Sequence, residues 1–104
     1  MTITAFLEST ESLAEIIERG RAAERTGQLD DALRWYQHAL QLSRSLADHA
    51  AAADLMRWIG TVYRYKGDLE GAARSYRTSL QVAQRFQLVP QLASASNCLP
   101  ILAQ

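Results

Sequence analysis

Few side chains in this sequence combine in a pattern that supports catalysis. His38 and His49 lie eleven positions apart, and neither has a cysteine or carboxylate at metal-ligand spacing. Cys98 has no histidine base near it in the predicted arrangement, and we expect it to be a small buried side chain. Asp30 and Asp31 stand at a predicted helix start, where the helix dipole favours acidic residues. We therefore expect a protein without enzymatic activity and without a cofactor.

Arginine is the residue type in this chain best suited to binding. All but one of the 11 basic residues are arginines, the exception being Lys66. A guanidinium group holds a carboxylate through two parallel hydrogen bonds, so an arginine-lined surface suits an acidic ligand. Which arginines share a surface depends on the elements that carry them.

Composition indicates a single soluble domain. The 104 residues are 48% hydrophobic, and 11 basic residues balance 11 acidic ones. A net charge of zero argues against nucleic-acid or membrane-surface binding. The single cysteine fits a reducing compartment, the N-terminus lacks the basic start of a secretory signal, and no apolar run approaches the ~20 residues that span a bilayer. We expect a cytoplasmic location.

Helix-forming residues dominate, and the breaks between them are evenly placed. Both prolines lie near the end, and no stretch alternates with the period of a strand. The pattern predicts five helices joined by short loops, so that neighbouring helices are antiparallel. We expect the first from a cap at Ser9, Thr10 or Ser12 to Thr26, the second from Asp30 to Leu46, the third from Ala50 to Lys66, the fourth from Asp68 to Phe86, and the fifth beginning near Pro90.

The sequence repeats itself after forty residues. The segment GQLDDALRWYQHAL, residues 27–40, corresponds to GDLEGAARSYRTSL, residues 67–80. Self-similarity at a fixed period is typical of stacked helical repeats. The matched pairs are Gly20 and Gly60, Gly27 and Gly67, Leu29 and Leu69, Ala32 and Ala72, Arg34 and Arg74, Tyr36 and Tyr76, Leu40 and Leu80, and Gln41 and Gln81.

The matched residues suggest how two helices pack. A glycine in mid-helix costs ~1 kcal/mol relative to alanine, so Gly20 and Gly60 indicate a neighbouring helix that passes too close for a side chain. We expect the alanines at 32 and 72 to be the small partners of these glycines. The tyrosines four residues later would then fill a wider space one turn away, and Leu40 and Leu80 would continue the same face.

The repeated unit resembles the tetratricopeptide repeat, whose signature is Trp-x2-Leu-Gly-x2-Tyr followed by Ala-x3-Phe. The second unit reads Met56-x2-Ile59-Gly60-x2-Tyr63 and then Ala72-x3-Tyr76; the first reads Ile16-x2-Arg19-Gly20-x2-Ala23 and then Ala32-x3-Tyr36. The forty-residue period exceeds the usual ~34 and is similar to the long-helix branch of this family. The resemblance implies an all-α solenoid of antiparallel helix pairs and a non-catalytic protein-interaction module.

The predicted domain consists of two units and one further helix. We expect repeat 1 over residues 9–47, repeat 2 over 48–87, and a capping or incomplete third-repeat helix over 90–104. Pro100 lacks an amide donor, so the last helix should kink or end near Leu99. The apolar residues of this helix favour an alternative function, self-assembly into a homo-oligomer or membership of a longer repeat protein. They are Leu92, Leu99, Ile101 and Leu102.

The resemblance also implies where a partner binds. In stacked helix pairs the first helix of each pair lines the concave surface. The stripe opposite the glycines then carries the expected contacts with a protein or peptide, in particular an acidic one. An alternative is that these are solvated charges, some of them paired along the helix, such as Arg21 with Glu24. We expect Trp35 and Trp58 to pack between helices, with a contact role for Trp58 left open. The expected contacts are Arg21, Arg25, Asp54, Arg57, Thr61, Arg64, Tyr65 and Asn97.

Overall fold

The computed structural model describes residues 11–103, and over this range all of the secondary structure is helical, as predicted. Consecutive helices are joined by three-residue turns and pack most extensively as the hairpins α1–α2 and α3–α4, with α5 against α4. The fold is therefore an all-α stack of helix pairs. Its elements are α1 (Leu13–Arg25), α2 (Leu29–Ser45), α3 (His49–Tyr65), α4 (Leu69–Arg85), α5 (Val89–Cys98) and a 3₁₀ helix (Leu99–Ala103).

Four turns join the five helices, and all four share one backbone geometry. One residue in each has a positive φ: Gly27 (78°), Ala47 (53°), Gly67 (87°) and Gln87 (54°). In every turn the next amide donates to a carbonyl five residues back, at 2.8–2.9 Å, which satisfies carbonyls at the helix end. The two glycines are the predicted helix stops. The sequence pattern did not reveal that an alanine and a glutamine adopt the same conformation at the other two turns.

Replacing Ala47 with glycine should stabilise the protein. A side chain in the left-handed region costs roughly 1–2 kcal/mol, and the extra chain entropy of glycine offsets about 0.5–1 kcal/mol of that gain. The free energy of unfolding, measured by urea denaturation, should therefore rise by up to about 1.5 kcal/mol. Gly67→Ala is the matched reverse change, and it should lower the free energy of unfolding because alanine is strained at the positive φ of this position. Nothing lies within 4 Å of the added Cβ, so the substitution affects the backbone alone. A loss of stability in Ala47→Gly would contradict this account.

Three of the five α-helices between residues 11 and 103, namely α1, α3 and α4, are capped at their starts by short polar side chains. At α1, Ser12 accepts from the Glu15 amide at 3.1 Å while the Glu15 carboxylate accepts from the Ser12 amide at 2.9 Å, a capping box. The amide hydrogen bond lowers the pKa of Glu15. Asp48 and Asp68 cap α3 and α4 by accepting from amides three residues later. Ser12 is thus confirmed as a cap, while the other two candidates, at positions 9 and 10, lie outside the described residues.

Asp30 lies at the start of α2, as predicted, and it also connects the two hairpins. It lies in the first turn of α2, one residue after the helix begins, and its carboxylate accepts a hydrogen bond from Lys66 at the end of α3. This contact lowers the pKa of Asp30. This hydrogen bond holds the end of α3 against the start of α2.

Tyrosine rings cover the bare glycines in both hairpins. A Cβ added at Gly60 would lie 2.7 Å from Cδ1 and Cε1 of Tyr76 and 3.2 Å from the Ala72 carbonyl oxygen. At Gly20 the nearest atom would be Cε1 of Tyr36, at 2.5 Å. The prediction that the tyrosines fill a separate space one turn away is therefore wrong. An aromatic ring lies against the bare backbone in each hairpin, and at Gly60 the backbone of Ala72 also comes close, as predicted for this pair.

The hydrophobic core cluster is built from α1, α2 and α3. Leu55 and Val62 of α3 are fully buried. The Ser79 hydroxyl, also buried, donates to the Ala53 carbonyl at 2.6 Å and fastens α4 to α3. Of the residues expected to pack the repeat, Tyr63 and Leu80 are half-buried and the others buried, namely Gly20, Ala32, Tyr36, Ile59, Gly60, Ala72 and Tyr76.

The C-terminal helix is shorter than the others and ends as its proline predicts. The α-helix stops at Cys98 and continues as a 3₁₀ helix that contains Pro100. Cys98 is half-buried and not buried as expected. Of the apolar residues expected to support self-association, Ile101 is 41% exposed, and Leu92, Leu99 and Leu102 are half-buried. Much of this apolar surface is thus already covered by the chain itself.

Candidate partner-binding surface

One stripe of α3, together with Arg21 of α1, forms a surface that we call the arginine face. Its α3 members are Asp54, Arg57, Thr61 and Arg64, which recur every three or four residues and so share one side of the helix. Asp54 and Arg57 form an ion pair at 3.0 Å, with side chains only 27% and 22% exposed. The arginine face is therefore partly shielded from water, where charge interactions are stronger than on an open surface.

Trp58 contacts one arginine from each of the two repeats. The guanidinium carbon of Arg21 lies 4.6 Å from the Trp58 ring centroid, and that of Arg57 lies 5.6 Å from it. The Tyr36 ring packs against the same tryptophan, with centroids 5.9 Å apart. Because an aromatic ring attracts a cation, the half-buried indole holds both guanidinium groups in one region. The structure thus brings Arg21, from 36 positions earlier in the chain, beside Arg57.

Two arginine nitrogens in the arginine face are buried without a hydrogen-bond partner among the described residues. They are the Nε atoms of Arg57 and Arg64. The guanidinium carbon of Arg64 lies 5.2 Å from the ring of Tyr65, which is 57% exposed. A buried donor without an acceptor costs roughly 1–3 kcal/mol, so an incoming acceptor that draws either side chain outward would recover part of that cost.

The tyrosines that cover the glycines also hold polar residues of α1 and α3. Tyr76 and Thr61 share a hydrogen bond of 2.8 Å, and Thr61 also donates to the Arg57 carbonyl. Tyr36 donates to Glu24 at 2.6 Å. Burial raises the pKa of Tyr36, and the Glu24 carboxylate raises it further. The Glu24 carboxylate thus accepts a hydrogen bond from Tyr36, whereas the sequence had suggested that it pairs with Arg21.

The remaining expected contacts are less closely assembled. Arg25 forms an exposed ion pair with Glu18 at 2.7 Å, and this hydrogen bond lowers the pKa of Glu18. Asn97 is exposed on α5. The contact between α5 and the arginine face is made instead by Gln91, whose amide nitrogen lies 3.5 Å from an Asp54 carboxylate oxygen. Sequence reasoning missed Gln91, and it left the role of Trp58 open, because both contacts cross between repeats.

Neither a metal-binding cluster nor a membrane-spanning helix occurs in the part of the chain that the structure describes. No group of three or more histidine, cysteine or acidic side chains between residues 11 and 103 is arranged to hold a metal ion. Over the same range, none of the helices has the length and hydropathy that crossing a bilayer requires.

The stacked helix pairs and the arginine face define a helical-repeat protein. Comparison with protein families matched the tetratricopeptide repeat to residues 12–85, and the chain therefore belongs to that family. Repeats of this family are in general non-catalytic modules that bind proteins or peptides. No curated protein and no solved structure matched the chain.

Proposed function

We propose that this chain is a protein-interaction module that binds an acidic peptide or protein segment on a concave surface formed by α1, α3 and α5. The observation that carries the proposal is the arrangement of three arginines around one edge of α3. Arg21 and Arg57 flank Trp58, and Arg64 follows two turns along the helix from Arg57. Only Asp54 offsets their charge within the arginine face, so the surface favours an anionic ligand.

The side chains suit a ligand that carries a carboxylate beside an apolar or aromatic group. The ligand carboxylate would accept from the guanidinium groups of Arg57 and Arg64, which would give their unpartnered Nε donors an acceptor. The exposed ring of Tyr65 would provide a flat surface for an apolar side chain. In this proposal Thr61 fixes the local geometry through its hydrogen bond to Tyr76, and Arg25 and Asn97 lie at the rim.

We also propose the repeat boundaries 9–47, 48–87 and 90–104. Support comes from the turns at Ala47 and Gln87, where the chain reverses between helix pairs. The single cysteine supports a reducing, cytoplasmic location as part of the same proposal.

Reversing two charges tests the proposed surface. Fluorescein-labelled acidic peptides would be titrated with the protein, each beside a copy in which glutamine replaces every glutamate. Arg57→Glu with Arg64→Glu should weaken binding of the acidic peptides by more than about tenfold, because attraction becomes repulsion. Fluorescence anisotropy measures the affinity.

A matched control makes the same change in net charge at two positions outside the arginine face. Arg34→Glu with Arg44→Glu alters two exposed arginines of α2 and should leave peptide affinity within about twofold of the unaltered protein. Equal losses in both double variants would show a diffuse charge effect and would refute the assignment to the arginine face.

A further inference from the structure

A second surface, which shares no residue with the arginine face, lies near the C-terminal end of the chain. Leu69, at the start of α4, is 52% exposed at the edge of a cleft of ≈ 570 Å³. The cleft lies between the first half of α4 and the 3₁₀ helix, and we call it the terminal cleft. It is lined by Leu69, Glu70, Ala73, Arg74, Arg77 and Leu102.

The repeat itself shows what covers the corresponding surface one unit earlier. Leu29 of α2 occupies the position of Leu69, but it is half-buried against the core. The end of α3 lies there, with Lys66 bonded to Asp30. Helix α3 has 17 residues, whereas α5 has 10 before it becomes 3₁₀. Among residues 11–103, α5 therefore covers the start of α4 less fully than α3 covers the start of α2, and a helical segment is what this surface would accept.

The charges of the terminal cleft specify the segment further. The cleft is lined by two exposed arginines, Arg74 and Arg77, and by one acidic residue, Glu70, so positive charge predominates. Residues 71–104 contain no acidic residue, while residues 1–31 contain seven. A segment that covers the cleft should thus present apolar side chains next to a carboxylate. Residues 3–8, ITAFLE, have this character: Ile3, Phe6 and Leu7 have the spacing of one helical face, and Glu8 follows them.

We propose that residues 3–8 of a second copy bind in the terminal cleft, so that chains associate head to tail. The apolar side chains would cover Leu69 and Leu102, and Glu8 would pair with Arg74 or Arg77. Each chain carries one segment and one cleft, so the contact is heterologous and adds chains in series unless a ring closes. The proposal is independent of the arginine face and of any ligand bound there.

Sedimentation velocity of the full chain tests this association. The average mass should rise above 11.6 kDa as the concentration increases over about a hundredfold range. Arg74→Glu with Arg77→Glu, and separately Phe6→Asp with Leu7→Asp, should each weaken association by more than about tenfold. The control Arg34→Glu with Arg44→Glu alters the matched position on α2 and should associate like the unaltered chain.

Mixing the two weakened variants distinguishes this contact from others. The Phe6→Asp, Leu7→Asp variant keeps an intact cleft, and the Arg74→Glu, Arg77→Glu variant keeps an intact segment. Together they should form a 1:1 complex that adds no further chains. An excess of a synthetic peptide of residues 1–12 should dissociate the unaltered assembly, which tests the contact without any substitution. A chain that stays monomeric at every concentration would overturn the proposal, as would association that survives the Phe6→Asp, Leu7→Asp change.

Discussion

Replacing Tyr76 with alanine should lower the free energy of unfolding by about 3–5 kcal/mol, because it removes a fully buried aromatic ring and leaves a cavity. The ring lies directly over Gly60, where no side chain is available to fill the vacated space. The substitution also removes the hydrogen bond that Thr61 shares with Tyr76. Much of the contact between α3 and α4 is therefore affected by a single substitution.

Urea denaturation followed by circular dichroism at the helix band measures this effect. Tyr76→Phe keeps the ring and loses only the hydroxyl, so it should cost about 0.5–1.5 kcal/mol and remain measurable even if the alanine variant does not fold. Tyr65→Ala removes the same side chain from an exposed position on α3 and should change stability by no more than about 0.5 kcal/mol. Similar losses at positions 65 and 76 would show that the ring over the glycine does not hold the hairpin together.

Gly60→Ala should destabilise the protein by about 1–3 kcal/mol, although the same change in an exposed helix normally stabilises it by ~1 kcal/mol. The added Cβ would lie 2.7 Å from two ring carbons of Tyr76 and 3.2 Å from the backbone oxygen of Ala72. The ring is enclosed, so it can yield only by moving α4 away from α3. Thermal and urea denaturation should both show the loss.

The sign of this effect should reverse when the ring is absent. In a Tyr76→Ala background, Gly60→Ala no longer meets the ring carbons, and the usual helix preference for alanine should recover part of the lost stability. The double-mutant cycle should then give a coupling free energy above about 1 kcal/mol. The equivalent cycle at Gly20 and Tyr36 should behave in the same way. Additive effects in both cycles would contradict direct packing of ring on glycine.

The packing of Tyr76 also has a consequence for binding. Its hydroxyl fixes Thr61, and Thr61 in turn donates to the carbonyl of Arg57 on the arginine face. The same tyrosine that closes the hairpin thus orders a residue of the proposed binding surface. A stable repeat and an ordered binding surface depend here on one contact.

Local and periodic features of this protein were predictable from its sequence. The forty-residue repeat gave the family, which the comparison over residues 12–85 confirms, and the absence of strand patterns gave the all-α class. Ser12 as a cap, the two glycine stops and the end of α5 near Pro100 were predictable for the same reason. Each depends on residues within one or two helical turns, where backbone preference and hydrogen bonding act between near neighbours.

The tertiary structure decided the features that depend on contacts between distant residues. Arg21 reaches Trp58 only through the way in which successive hairpins stack, and no local pattern determines that angle. Tyr76 covers Gly60 because a ring spans the gap between two helices, which the sequence spacing alone did not distinguish from packing one turn away. Ala47 adopts a positive φ because packing of the flanking helices outweighs its own backbone preference. Residue types fix what each side chain can do, while the stacking of the helices fixes which side chains meet.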